Sequence, residues 1–133
     1  MTPEQKIKHA ILLKAIEWEN IEPISEPITA ENVDALYDTN NEDYELQDAR
    51  DDFRCGGVET SIPAPPSRHY ESESRAMQLP DGSWVGWTYW FGGGKHGEPE
   101  AIDWMEDAYE LDCVEEQKTV TVRTFTEKEG QPA

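Results

Sequence analysis

At 133 residues the chain has room for one domain with a real core and too little for two. Only 36% of it is hydrophobic, but five Trp, five Tyr and three Phe give large burial per core position. With 29 acids against 11 bases the net charge is −18, a field that repels phosphate backbones and anionic membrane surfaces and attracts a basic partner, so neither nucleic acid nor membrane is an expected partner.

The acids are unevenly placed. Between Glu17 and Glu59 there are 14 acids against only Arg50 and Arg54, and between Glu98 and Glu116 nine acids and no base. No apolar run approaches the length of a membrane span, and the N-terminus lacks the basic and apolar regions of an export signal, so a cytoplasmic location is expected. Cys55 and Cys113 lie far apart with no neighbouring ligand cluster, which reads as two reduced thiols rather than a disulfide framework or a zinc site.

In chain order, Thr2-Pro3-Glu4-Gln5 has the form of a capping box with proline at the first helical position. Ile7, Ala10, Ile11, Ala15 and Trp18 recur at helical spacing, predicting a helix from about residue 3 to residue 20. Pro23 and Pro27 then mark an extended connector. Thr29 is placed to cap a short helix through Val33, Leu36 and Tyr37, and Asp38-Thr39-Asn40-Asn41 interrupts it. Tyr44, Leu46, Ala49 and Phe53 predict a third helix that stops at Gly56-Gly57. Residues 1–57 thus form a helical, acidic half, and residues 58–68, rich in proline, form a stiff crossover.

Beyond the crossover the apolar period changes from helical to alternating. Residues 69–91 read as a hairpin about Pro80-Asp81-Gly82, with Met77 opposite Val85, Arg75 opposite Trp87, Glu73 opposite Tyr89 and Glu71 opposite Phe91. Both faces of the second strand are aromatic, which predicts cover on both sides. Pro99 opens a predicted short helix through Ile102, Met105, Ala108 and Tyr109, and Val120 and Val122 are the inward pair of a predicted last strand, 119–126. Residues 69–126 therefore make the second half of a single domain, and 127–133 a tail. The expected fold is α+β, with N-terminal helices packed on a small antiparallel sheet of hairpin 69–91 plus strand 119–126.

The motifs that might carry chemistry are weak. Gly92-Gly93-Gly94-Lys95-His96-Gly97 lacks the spacing and the hydroxyl residue of a P-loop, and Asp38 to Asp43 lacks the sixth-position glycine of a calcium loop. Two H-x-E units bring His69, Glu71, His96 and Glu98 toward one end of the hairpin, a weak candidate for a divalent metal or for acid–base work in a small enzyme. No catalytic residues and no cofactor are assigned. The stronger candidates are for partner binding: the carboxylates of Asp38, Glu42, Asp43, Glu45, Asp48, Asp51 and Asp52, and a flat aromatic patch at Trp84 and Trp90 that would also suit a homodimer.

Residues 67–104, above all Leu-Pro-Asp-Gly-Ser-Trp-Val-Gly-Trp-Thr-Tyr-Trp-Phe-Gly-Gly-Gly-Lys-His-Gly-Glu-Pro-Glu, resemble a segment of small uncharacterised proteins encoded by phages and prophages. The resemblance implies a phage context and a place in the host cytoplasm. It also implies a basic host protein as partner, since small acidic phage proteins often inhibit defence or nucleic-acid-handling proteins, some by mimicking the charge of DNA.

Overall fold

The computed structural model describes residues 1–130, apart from the side chain of His96. Helix α1, Pro3–Glu17, starts as its capping box dictates: the Gln5 amide donates to Thr2 Oγ1 at 3.2 Å, and the Thr2 amide donates to Gln5 Oε1 at 3.0 Å. It ends earlier than the predicted residue 20 because Glu19 turns left-handed (φ 61°). Around that turn Asn20 N–H donates to Ala15 O at 2.8 Å and Glu19 N–H to Ile16 O at 3.0 Å, which closes the helix in a Schellman motif. The face of α1 that carries Ile7, Ile11, Leu12 and Ala15 is buried.

Helix α2, Val33–Asn40, is not capped by the Thr29 side chain. Instead the Thr29 amide donates to Asn32 Oδ1 at 2.7 Å, and the Thr29 carbonyl accepts from Val33 at 2.9 Å, so a preceding turn delivers the chain to the helix. Helix α3, Gln47–Arg54, buries Ala49, Phe53 and Arg54. Within the expected crossover the structure has a two-residue strand, β1, Val58–Glu59. It is followed by β2, Glu71–Gln78, β3, Trp84–Phe91, and β4, Tyr109–Leu111, which together form an antiparallel sheet in the order β1-β2-β3-β4.

The β2–β3 register is the predicted one throughout, from Glu71 opposite Phe91 to Met77 opposite Val85. The class is α+β, with the N-terminal helices laid against the sheet. Val85 and Trp87 face the helices and pack with Ile7, Ile11, Leu46, Phe53, Trp104 and Met105 in one continuous core. On the outer face, Ser74, Ala76 and Thr88 are also buried. Tyr109 and Leu111 lie over Gly86 so closely that a Cβ there would come within 2.6 Å of the Tyr109 ring.

Two predicted elements are corrected. Pro99 opens only a short 3-10 turn, Pro99–Ala101, after a similar turn at Gly94–His96. The residues that follow leave helical geometry because Trp104 is drawn into the core, 6.0 Å from the Trp87 ring and 6.1 Å from the Phe53 ring by centroids. The second correction is the strand 119–126, which does not form: those residues pair with no strand and are exposed. The place beside β3 is taken by Tyr109–Leu111, which follow directly on the anchored Trp104 and Met105. No helix among the described residues is long and apolar enough to cross a membrane.

Candidate functional site

The acidic residues of the helical half occupy a ledge formed by the end of α2, the turn at residues 41–46 and the start of α3. The turn is fixed by its own polar groups. Tyr44 N–H donates to Asn41 O at 3.1 Å, Gln47 N–H to Tyr44 O at 3.1 Å, and Leu46 N–H to Asn41 Oδ1 at 3.2 Å. Leu46, fully buried, pins the turn to the core. Glu45 accepts from the Asp43 amide at 3.2 Å. Tyr44 has φ 63° and its side chain is 75% exposed, so the turn props one aromatic ring outward among Glu42, Asp43 and Glu45. A left-handed backbone costs a non-glycine residue about 1 kcal/mol, and here the surrounding hydrogen bonds sustain it.

Cations are distributed so that this charge stays uncompensated. The three lysines of α1 are each paired elsewhere: Lys6 with Glu110 at 2.9 Å, Lys8 with Glu4 at 3.2 Å and Asp34 at 3.1 Å, and Lys14 with Asp52. The two arginines of the acidic half turn inward. Arg50 lies over Trp104. Arg54 is buried, donates to Trp90 O at 3.1 Å and stacks on Tyr89, whose ring also carries Arg75 at 4.4 Å. Among the described residues Asp38, Glu42, Asp43, Glu45 and Asp48 therefore have no ion-pair partner. Asp38 stands in the last turn of α2, where the helix dipole disfavours a carboxylate. Two of the seven predicted acids have internal roles: Asp52 is neutralised by Lys14, and Asp51 accepts from Gln47 Nε2 at 3.1 Å.

Hydrogen bonding sets the titration of nearby groups. The amide of Gln5, and after it the Lys8 ammonium, hold the Asp34 carboxyl below its ordinary value. Burial depresses Lys8, but the carboxylates of Asp34 and Glu4 outweigh it and hold the ammonium above its ordinary value. Burial pushes the Tyr37 phenol up.

Trp84 and Trp90, the predicted aromatic patch, are half-buried and flank Gly86 and Thr88 on the outer face of the sheet. The helices that carry the acids pack on the inner face, against Val85 and Trp87. The two predicted partner surfaces thus lie on opposite sides of β3 and do not form one site.

At the far end of the hairpin the glycine loop folds back on Tyr70, whose Oη accepts from the Glu98 amide at 3.3 Å. Gly93, at φ 88°, sits so near the Tyr70 ring that a Cβ would approach to 2.5 Å. His69, Glu71 and Glu98 are exposed there, and the His96 side chain lies outside the described residues. Among the described residues no three His, Cys, Asp or Glu side chains converge to hold a metal. Cys55 and Cys113 are exposed free thiols.

Tyr44 is the residue the sequence reasoning missed, because its spacing from Leu46, Ala49 and Phe53 placed it on a helical apolar face. The available signal was the Asn40-Asn41 pair, which favours a turn that tolerates a left-handed residue. Comparison with protein-family models, with curated proteins and with solved structures finds no match to this chain.

Proposed function

We propose that the chain is an acidic protein-binding module, phage-encoded and acting in the host cytoplasm, whose ledge from Asp38 to Asp48 engages a basic surface on a host protein. The observation that carries this reading is the set of five unpaired carboxylates around an exposed tyrosine on a hydrogen-bonded turn. An anionic rim steers a cationic partner at long range and raises the association rate, while an exposed aromatic ring supplies the contact that slows dissociation. A rigid turn suits this role because little ordering entropy is lost on binding. A partner that ordinarily holds nucleic acid has the right charge, and occupying it would make the chain an inhibitor that mimics DNA charge.

The test is capture from a lysate of the native host by the tagged chain, with the recovered protein purified and its affinity measured at low and high salt. The five-fold neutralised variant Asp38→Asn, Glu42→Gln, Asp43→Asn, Glu45→Gln, Asp48→Asn should lose binding at low salt. Tyr44→Ala should weaken it by ~2 kcal/mol at any salt, as loss of a central aromatic anchor does. Unchanged affinity in both variants would refute the proposal.

A further inference from the structure

The segment after β4 is unusual for a folded chain. Val114 is 91% exposed, Val120 76%, Val122 83% and Phe125 86%, and no hydrogen bond ties residues 112–128 to the body among the described residues. Thr119-Val120-Thr121-Val122-Arg123-Thr124-Phe125-Thr126 is built of β-branched and aromatic residues in alternation, the composition of a strand that lies on a sheet. A suitable edge is present, since β4 is the last strand of the sheet and nothing pairs with its far side among the described residues. Beside it on the outer face runs a groove of about 500 Å³ lined by Val58, Ile62, Ala76, Trp84, Leu111 and Val114.

We propose that residues 119–126 are a donor strand that pairs with the β4 edge of a second copy of this chain, reciprocally, so that each sheet gains a fifth strand. Charge argues for this occupant. Residues 117–126 hold Lys118 and Arg123 and no acid, a net +2 in a chain of −18, so the rest of the molecule carries −20. Beside the receiving edge stand Asp112 and Glu115, which have no ion-pair partner among the described residues, whereas Glu110 is held by Lys6. The basic strand and the acidic edge that complements it thus lie on the same chain, which is the condition for self-pairing.

The structure itself argues against pairing within one copy: residues 119–126 join no strand and stay exposed, although the seven-residue connection 112–118 is long enough to let them fold back on β4. Once paired, Val120 and Val122 project to the same face and extend the apolar strip of Trp84 and Leu111. Exchange of both strands closes a two-fold dimer in which each donor strand and each β4 edge is used once.

The test is light scattering and hydrogen exchange on the full chain, under reducing conditions, across a wide concentration range. The expected mass is twice 15.2 kDa, with amide protection of residues 119–126 that rises with concentration. Val120→Asp with Val122→Asp should raise the dimer dissociation constant ~100-fold or more by placing two carboxylates in the apolar groove. Arg123→Glu should raise it roughly tenfold at low salt and less at high salt. Because these side chains are exposed in one copy, the unfolding midpoint of the dilute protein should not move in either variant.

A monomer at every concentration would overturn the proposal. So would protection of 119–126 that is independent of concentration, which marks pairing within one copy, or a dimer indifferent to the substitutions. The ledge variants leave this strand and edge intact and should dimerise normally, so failure of either proposal is separable from the other.

Discussion

Trp87 and Trp104 lie in one ring cluster with Phe53, are 0% and 1% exposed, and differ in one polar contact. Trp87 Nε1 donates to the Arg54 carbonyl at 3.1 Å, whereas Trp104 Nε1, equally buried, finds no acceptor among the described residues. The same substitution, Trp→Phe, therefore has different consequences at the two positions. Shrinking either buried indole costs ~1–3 kcal/mol in lost contacts and residual void. At Trp87 the change also strands the buried Arg54 carbonyl, adding ~1–3 kcal/mol. At Trp104 it removes a buried unpaired N–H and recovers a similar amount, which offsets the void. Trp87→Phe should thus be less stable than Trp104→Phe by at least ~2 kcal/mol, or ~1 M in the urea midpoint. Urea unfolding followed by far-ultraviolet circular dichroism measures both. Equal losses, or a larger loss at Trp104, would refute the assignment of the two indole groups.

Gly57 and Gly82 both have positive φ, 76° and 89°, but a Cβ at Gly57 would come within 2.5 Å of the Ala76 carbonyl oxygen while one at Gly82 would meet nothing within 4 Å. In thermal melts Gly82→Ala should cost ~1 kcal/mol of backbone strain and Gly57→Ala ~2–5 kcal/mol of strain plus steric repulsion; similar losses would contradict the packing of β1 against β2. Asp34 has a carboxyl held below its unfolded value, so its contribution is present above that value and is lost as pH falls through the folded one. Asp34→Asn should lower stability by ~0.3–1 kcal/mol at neutral pH, the exposed pair being screened by solvent. The gap should close on acidification below the ordinary carboxyl range, and a gap that widened would show the sign to be wrong.

How much of this was legible in the sequence depended on how local the determining interactions are. The capping box that starts α1 and the Pro80-Asp81-Gly82 turn that sets the hairpin register act within a few residues, and both came through to single-residue accuracy. The end of α1 did not, because Glu19 adopts a conformation that usually requires glycine. The C-terminal third misled for a long-range reason. Val120 and Val122 make a better strand pattern than Tyr109-Glu110-Leu111, yet the latter pairs with β3 because Trp104 and Met105 are anchored beside it. The periodicity of Ile102, Met105 and Ala108 suggested a helix in which Trp104 had no part. The acids of the ledge were visible as a charge block, but the sequence could not show that Lys14 neutralises Asp52 or that Arg50 and Arg54 turn inward. Those pairings, like the projection of Tyr44, arise only when the helices meet.

The central claim, that the ledge exists to present charge, is tested most directly by the salt dependence of binding to the captured host protein, wild type against the five-fold neutralised ledge. The account predicts affinity that falls steeply from ~0.05 to ~0.5 M salt in the wild type and a weak, nearly flat response in the variant. Parallel slopes for the two proteins would contradict it and place the contact elsewhere on the molecule.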